Sequence, residues 1–260
     1  MSTNTATRPL FHFREKGSRG PTLVFLHYHG GSSRTWSGVI DGLDADRHTI
    51  ALDLRGWGDS EKPEGGYSLA AHADDVTAVL AAKGVDDFVL VGHSMGGKVA
   101  QLLASRRPAG LRALVLVAPA TPTPLALPKE VLDGFVTVYD SRESIEGALA
   151  NALVSRPLPP ALHEQVIADS LKGAPGAKAA WPLGMSQEDI SGEVGRINVP
   201  VLVIAGEEDK VDPIDAHKTE LLPRLKDAEF RVIPGIGHLV PLQASDEVAA
   251  LVTDFLGRRG

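Results

Sequence analysis

The sequence predicts an α/β protein built on a doubly wound, mostly parallel sheet, and two observations carry this prediction. Six short apolar runs recur along the chain without polar alternation, which is typical of parallel strands that are buried on both faces. Helical patterns separate most of these runs, as they do in a doubly wound sheet. The runs cover residues 22–27, 49–52, 88–91, 114–117, 201–205 and 230–233.

Three segments have the pattern of helices that cover such a sheet. Residues 68–83 repeat apolar side chains at helical spacing and stop before Gly84, which is a favourable helix end. Residues 95–107 follow directly after the third apolar run, and residues 246–256 have the pattern of a final amphipathic helix. Each apolar run is therefore expected to be a strand of one continuous sheet.

The alternation stops between the fourth and fifth runs. Residues 121–196 contain no convincing strand, and Pro/Gly interruptions separate their helix-like stretches. Because strands continue on both sides, we predict a helical cap inserted into the core; ordinary covering helices are the alternative. The predicted division is a first core part at 1–120, the cap at 121–196 and a second core part at 197–260.

Composition excludes several classes of function. The 260 residues are 43% hydrophobic, enough to bury one sizeable core. The net charge of −7 and the absence of a Lys/Arg stripe argue against a nucleic-acid partner. With no cysteine, disulfides and thiolate catalysis are impossible. We see neither a signal-peptide pattern nor an apolar run of about 18 residues, and we therefore expect a cytoplasmic protein without a membrane partner.

The strongest chemical signal is the segment Gly92-His93-Ser94-Met95-Gly96-Gly97, which follows an apolar run and precedes a helix. This is a G-x-S-x-G motif in the strand–turn–helix context that it requires. Glycine is needed where so tight a turn leaves no room for side chains. The turn is expected to project Ser94 at the strand end, as a nucleophile beside the positive helix N-terminus.

A serine nucleophile needs a general base, and His238 is the candidate. It ends the segment Pro234-Gly235-Ile236-Gly237-His238 just after the last apolar run, and ligands bind at this edge of open α/β sheets. The other histidines receive simpler interpretations. We expect solvated side chains at His12, His48, His163 and His217, a structural role for His72, and packing beside the turn for His93.

Asp209 is the predicted acid, because it follows the fifth apolar run in Gly206-Glu207-Glu208-Asp209. Its role would be to hold the imidazole in the correct tautomer and stabilise the imidazolium. Asp212 and Asp215 remain alternatives. The chain order Ser94, Asp209, His238 is the order that accompanies a G-x-S-x-G elbow.

Several segments together resemble the α/β-hydrolase superfamily, in particular its single-domain esterases and cofactor-free perhydrolases with a helical cap. They are LHYHGGSSRTW, DLRGWGDS, GHSMGG, VPVLVIAGEEDKVDP and PGIGHLVPLQ, and the resemblance extends from about residue 22 to the end. It implies the α/β-hydrolase fold, no cofactor and no metal, and a structural role for DLRGWGDS. Relatives that open epoxides or remove halides have Asp at the nucleophile position, so Ser94 disfavours those reactions.

The resemblance also indicates an oxyanion hole and two departures. The backbone N–H groups of His29 and Met95 are the expected oxyanion donors. Tyr28 stands where relatives usually have glycine, and we expect it to form part of the pocket wall or to donate to the oxyanion; a spacer that points into the core or sideways is the alternative. Gln243 replaces an acidic residue that usually follows the base, which affects only a local contact.

The predicted function is hydrolysis of a small or medium carboxylic ester or lactone through an acyl-enzyme on Ser94. The same triad also permits perhydrolysis, thioester cleavage or C–C bond hydrolysis. A triad-retaining ligand sensor is the non-enzymatic alternative, and turnover on activated esters distinguishes the two. Apolar cap residues are expected to line the substrate pocket, with packing of the cap onto the core as the alternative for each: Leu125, Leu132, Phe135, Leu153, Trp181 and Met185. The natural substrate, the stereochemical preference and the oligomeric state stay open.

Overall fold

A seven-stranded sheet forms the centre of the molecule in the computed structural model, which describes residues 11–259. In chain order the strands are β1 (Phe13–Lys16), β2 (Arg19–Leu26), β3 (Arg47–Leu52), β4 (Phe88–His93), β5 (Leu111–Val117), β6 (Val201–Gly206) and β7 (Ala228–Ile233). Their order across the sheet is β1-β3-β2-β4-β5-β6-β7, and only β1 with β3 is antiparallel. The predicted mostly parallel, doubly wound sheet is confirmed.

Apolar runs made six strands predictable, including the partly exposed β7, whereas β1 has no such run. Every residue of β4 and β6 is buried, since helices cover both faces of a parallel sheet. In β1 only Phe13 is partly buried and the other three residues are exposed. The sequence of β1 therefore has no apolar pattern, and its position at the sheet edge depends on hydrogen bonds to β3.

Helices pack on both sides of the sheet. The long helix after β3 is capped at its start by Ser68, whose Oγ accepts the N–H of Ala71 at 3.1 Å, and at its end by Gly84, which adopts φ 64°. These are the ordinary signals of a helix start and stop. The helices are α1 (Ser37–Asp41), α2 (Leu69–Lys83), α3 (Met95–Ser105), α4 (Lys129–Phe135), α5 (Arg142–Ala148), α6 (Pro160–Leu171), α7 (Pro175–Leu183), α8 (Ser191–Val194), α9 (Ile214–Ala216), α10 (Val240–Gln243) and α11 (Ser245–Gly257).

The segment between β5 and β6 is helical throughout its regular structure and comprises α4 to α8. Two of its helices, α6 and α7, start at a proline, where the missing N–H has no helical partner to lose. Ile145 and Trp181 join the same apolar cluster as Trp57 of the core. This segment, which we call the cap, therefore packs directly onto the core.

The order of the strands predicts at which edge of the sheet a ligand binds. The chain reverses direction across the sheet between β2 and β4, and ligands bind beyond the carboxyl ends of strands at such a point. His29, Ser94, Asp209 and His238 all follow carboxyl ends of strands and meet at this edge. No described helix is both long enough and apolar enough to cross a membrane.

Candidate active site

Ser94 stands at a strained turn between β4 and α3. Its φ of 51° and ψ of −116° lie where residues other than glycine are uncommon. A Cβ at Gly92 would lie 2.5 Å from the carbonyl oxygen of Gly96, and a Cβ at Gly96 would lie 2.5 Å from that of His27. Glycine at both positions therefore permits the turn, and strain of this kind concentrates at functional sites.

The elbow is held by hydrogen bonds to the neighbouring strand end. The N–H of Ser94 donates to the carbonyls of Val117 at 3.2 Å and Ala118 at 3.1 Å. The carbonyl of Ser94 accepts the N–H groups of Lys98 at 3.0 Å and Ala120 at 3.1 Å. These bonds fix the backbone of Ser94, whereas its hydroxyl has no partner within residues 11–259.

His238 and Asp209 form a buried hydrogen-bonded pair. The Nδ1–H of His238 donates to Asp209 Oδ2 at 2.9 Å. The other carboxylate oxygen, Oδ1, accepts the N–H groups of Val211 at 2.8 Å and Asp212 at 3.0 Å. The carboxylate is therefore fixed from both sides, and the imidazole presents Nε2 for proton exchange.

His238 and Asp209 each shift the pKa of the other towards the charged form. Burial by itself would lower the pKa of His238, but the charge and hydrogen bond of Asp209, together with the charge of Asp212, raise it above its ordinary value. Burial would likewise raise the pKa of Asp209, yet His238 and two backbone N–H groups lower it. Each partner therefore favours the charged form of the other, which suits a base that becomes cationic during reaction.

His93 connects the base loop to the elbow. Its Nε2–H donates to the carbonyl of His238 at 2.9 Å, and the two rings lie 5.2 Å apart. Since His93 directly precedes Ser94, this contact brings the loop of His238 close to the elbow at Ser94. Ser94 Oγ and His238 Nε2 are not hydrogen-bonded to each other here, a contact that often tightens only when substrate binds. The expected packing of His93 beside the turn is what the structure shows.

Two backbone N–H groups are available for an oxyanion. Neither His29 N–H nor Met95 N–H donates to an acceptor among the described residues. Met95 begins α3, so the positive end of the helix dipole lies at the same place. Both groups belong to segments at the carboxyl edge, as the resemblance implies for oxyanion donors.

The cap holds the loop that carries His29. The hydroxyl of Tyr139 donates to the carbonyl of His29 at 2.8 Å, and the ring Nε2–H of His29 donates to the carbonyl of Lys178 at 3.1 Å. Burial lowers the pKa of His29 to about 3, so its ring is neutral. Lys178 Nζ in turn donates to the carbonyl of Tyr139 at 2.7 Å. Cap residues that the sequence did not single out thus position the loop that carries His29.

Tyr28 does not occupy the place that we predicted. Its side chain is 2% exposed, its ring lies 5.2 Å from that of His93, and its hydroxyl faces Ser170 of α6. It is not among the side chains that line the cavity at Ser94. A tyrosine in this position fills the space between the elbow and the cap, so its substitution for glycine serves packing.

A small cavity of about 30 Å³ opens beside Ser94. Three of the predicted pocket residues, Leu125, Phe135 and Trp181, line it. Met185 does not line the cavity, because it is buried in the apolar core with 1% of its surface exposed. Leu132 and Leu153 are buried in the same core and are slightly more exposed. Helical spacing alone could not separate these residues, because cap residues that face the core and those that face the cavity are equally apolar.

Two ionisable residues in the cavity wall were missed as site residues. Lys98 of α3 and Asp212, which we weighed only as an alternative acid, both line it with Ser94. The Asp212 carboxylate makes no hydrogen bond with His238, whereas that of Asp209 does. The geometry therefore favours Asp209 as the partner of the base. Asp215 lies in α9, among residues of the surface.

One expectation for the remaining histidines is wrong. His217 is fully buried, with neither ring nitrogen bonded within the described chain, and burial lowers its pKa to about 4. It packs near Phe230 of β7, so an apolar environment replaces the predicted solvent. His12 is exposed, and His48 and His163 are partly exposed. His72 is buried in α2.

The loop after β3 has a structural arrangement. The Asp53 carboxylate accepts the N–H groups of Ser33 at 2.6 Å and Asp59 at 2.8 Å, and it also contacts His12. His12, Asp53 and Asp59 form the one cluster of possible metal ligands among residues 11–259. Because these backbone donors already engage Asp53, the cluster is explained as a loop brace. Gln243 has a comparable local role, since its Oε1 accepts the N–H of Gly237 at 3.1 Å.

Comparison with known proteins agrees with this architecture. A family model described as the alpha/beta hydrolase fold matches residues 21–245. This chain belongs to the α/β-hydrolase family. The strand order, the elbow at Ser94 and the inserted cap are thus found together in a member of that family, and the resemblance seen in the sequence motifs is confirmed.

Three relatives illustrate the range of similarity. A putative non-heme chloroperoxidase of Synechocystis sp. is 28% identical over 268 residues, which cover 97% of this chain and 96% of the relative. The bifunctional esterase/perhydrolase DCH of Acinetobacter calcoaceticus is 28% identical, with 91% and 92% covered. The structure of Est816, described as an N-acyl homoserine lactone degrading enzyme, is 31% identical with a TM-score of 0.83, covering 94% of this chain and 96% of that one.

Proposed function

We propose that this α/β hydrolase cleaves a carboxylic ester or lactone through an acyl-enzyme on Ser94. The observation that carries the proposal is the strained elbow at Ser94 next to the buried His238–Asp209 pair, joined at 2.9 Å. A serine hydroxyl on a sharp turn, a base held in one tautomer and free N–H donors are the parts that acyl transfer requires.

In the first step Ser94 Oγ attacks the carbonyl carbon while His238 Nε2 takes the hydroxyl proton. The resulting oxyanion accepts the N–H groups of His29 and Met95. Each such donor typically contributes about 3 kcal/mol to transition-state stabilisation. The C–O bond then breaks, His238 returns the proton to the leaving alcohol, and the acyl group stays on Ser94.

In the second step a water molecule takes the place of the alcohol. His238 removes its proton, the hydroxide oxygen attacks the acyl carbon, and the same two N–H groups hold the second oxyanion. Release of the carboxylic acid restores Ser94 with its proton. Asp209 stays ionised throughout, because its task is to orient His238 and to stabilise the imidazolium.

The proposed substrate class follows from the cavity and the relatives. Leu125, Phe135 and Trp181 form an apolar wall beside Ser94, around a cavity of only about 30 Å³. Relatives bear the names esterase/perhydrolase and lactone degrading enzyme. The apolar wall suits the carbon chain of an ester or lactone, and the small cavity favours a small or medium one over a large one.

The test is turnover of an ester and lactone panel by wild-type protein and by Ser94→Ala. We expect many turnovers from the wild type and less than about one hundredth of its rate from the variant, since triad residues typically contribute far more than that. Ser105→Ala is the matched control, because Ser105 lies on the same helix and its Oγ donates only to the carbonyl of Leu102 at 2.8 Å. A single turnover by the wild type would instead favour a ligand sensor.

Perhydrolysis is the second candidate, favoured by the name of the Acinetobacter calcoaceticus relative. Here hydrogen peroxide replaces water, so that the acyl-enzyme yields a peracid and restores Ser94. Measuring peracid and carboxylic acid from one ester at increasing peroxide concentration separates the two fates. A peracid yield that never exceeds the uncatalysed background would exclude this activity.

A further inference from the structure

Two ionisable side chains, Lys98 and Asp212, line the cavity beside Ser94, and the acyl-transfer steps use neither of them. Lys98 lies one helical turn after the nucleophile, and its backbone N–H donates to the carbonyl of Ser94 at 3.0 Å. Asp212 reaches the same cavity from the loop after β6. Ionisable residues are rarely buried unless something specific satisfies them.

Lys98 has one hydrogen-bond donor to spare. The residue is 1% exposed, and its ammonium donates to the carbonyls of Thr123 at 3.0 Å and Ser186 at 3.1 Å. An ammonium has three N–H donors, so one remains without an acceptor among the described residues. Both carbonyls belong to the segment between β5 and β6, which fixes the position of Nζ in the cavity wall.

Asp212 has acceptors to spare. It is 3% exposed, and its backbone N–H donates to Asp209. No described group donates to its carboxylate oxygens, and it forms no direct ion pair with Lys98. A spare donor and a spare acceptor therefore face one cavity without meeting each other. A ligand group that both accepts and donates hydrogen bonds is the kind that satisfies both.

We propose that Lys98 and Asp212 bind a hydroxyl group of the substrate, so that the protein prefers esters that carry a hydroxyl near the scissile carbonyl. This inference rests on the proposed ester hydrolysis at Ser94 and specifies its substrate class. The hydroxyl oxygen accepts the third N–H of Lys98, and the hydroxyl proton is donated to Asp212. The reacting carbonyl meanwhile stays at Ser94.

Other polar groups fit this pair less well. Where Asp212 is ionised, a carboxylate ligand is attracted by Lys98 but repelled by Asp212, and an ammonium ligand is attracted by Asp212 but repelled by Lys98. A keto oxygen can only accept, so it leaves an ionised Asp212 unsatisfied. Burial raises the pKa of Asp212 to about 8 and lowers the pKa of Lys98 to about 8. A hydroxyl both donates and accepts, and it therefore suits either protonation state of Asp212.

The experiment compares matched substrates on the wild-type protein. Phenyl butanoate is assayed beside phenyl 2-hydroxybutanoate, 3-hydroxybutanoate and 3-oxobutanoate, which test the acyl side. The butanoate esters of 1-butanol and 1,3-butanediol test the alcohol side. We expect one hydroxylated ester to exceed its unsubstituted match in kcat/KM by about tenfold or more, mainly through a lower KM, as for the gain of a buried hydrogen bond to a charged group.

Two variants assign the preference to the pair. Asp212→Asn keeps the backbone N–H that Asp209 accepts, and Lys98→Met keeps side-chain length; each is expected to reduce the hydroxyl preference to less than about threefold. The exposed ion pair of Lys16 and Asp41 supplies the controls Lys16→Met and Asp41→Asn, which should retain the full ratio. If Lys98→Met fails to fold, Asp212→Asn decides, because it leaves both bonds of the Lys98 ammonium in place.

The outcomes separate this inference from the function on which it rests. Turnover of all esters with equal kcat/KM, a preference for the oxo ester, or an unchanged ratio in Asp212→Asn would each overturn the hydroxyl site while ester hydrolysis stands. Absence of turnover on every ester would refute the proposed function and this inference with it. A hydroxyl preference that both variants abolish and both controls retain would support the proposal.

Discussion

Replacing Asp209 by Asn tests how the site controls the tautomer of His238. In the wild type, Oδ1 accepts two backbone N–H groups, from Val211 at 2.8 Å and Asp212 at 3.0 Å, while Oδ2 faces His238 Nδ1 at 2.9 Å. An asparagine carbonyl must take the place of Oδ1, because an amide NH₂ there would meet two donors. The NH₂ group then faces Nδ1 and makes that nitrogen an acceptor.

The consequence is a base in the wrong protonation state. With Nδ1 accepting, the proton of neutral His238 sits on Nε2, which then cannot take the proton of Ser94. The substitution also removes a charged hydrogen bond, typically a contribution of about 1.5 to 3 kcal/mol. We expect kcat/KM to fall by about 10³ to 10⁴, equivalent to about 4 to 5.5 kcal/mol of transition-state stabilisation.

The assay is the initial rate on an activated phenyl ester, with the melting temperature measured in parallel. Asp41→Asn is the surface control. Asp212→Asn should lose less activity on an unsubstituted ester than Asp209→Asn, since its carboxylate does not contact the imidazole. If Asp209→Asn retains more than about one tenth of the wild-type kcat/KM, the tautomer argument is wrong. The reverse ranking of the two variants would assign the acid to Asp212.

Three further predictions concern the base and the cap. Only neutral His238 accepts a proton, and its pKa is raised in the folded protein. The acid limb of the pH profile of kcat/KM should therefore have its midpoint above the ordinary histidine pKa of about 6.5. A midpoint at or below that value would argue against His238 as the base. Tyr139→Phe removes the hydrogen bond to the His29 carbonyl at 2.8 Å and should lower kcat by about tenfold with little change in KM, because the oxyanion loop loosens; a change in KM alone would place Tyr139 in substrate binding. Trp181→Ala should change acyl-chain preference more than stability, and a lowered melting temperature with an unaltered substrate profile would show that Trp181 only packs.

Local patterns were sufficient to predict the sheet and to choose the three residues of the candidate triad. Strands that are buried on both faces consist of apolar runs, and a glycine-flanked serine between a strand and a helix is typical of a nucleophile elbow. The sequence did not predict β1, because three of its four residues are exposed and it has no apolar run. In α7, Pro175 and Pro182 suggest a break, although one begins the helix and the other lies near its end.

The features that were missed depend on contacts between distant parts of the chain. Lys98 is charged and occurs in an ordinary helical pattern, so nothing local indicates burial; its acceptors come from residues 25 and 88 positions later. His217 and Tyr28 are similar cases, because only the packed neighbours decide whether a polar ring faces solvent, core or cavity. Sequence patterns locate the candidate nucleophile and its base, whereas the cavity beside them is assembled by the cap.

The most direct test of the central claim is to trap the acyl-enzyme. Wild-type protein is mixed with an activated phenyl ester, quenched in acid within the first turnover, digested and analysed by mass spectrometry. We expect the mass of the acyl group on the peptide that contains Ser94, and no adduct on that peptide in Ser94→Ala. Acylation of any other residue during productive turnover, or turnover at the wild-type rate without an adduct in either protein, would contradict the assignment of Ser94 as the nucleophile.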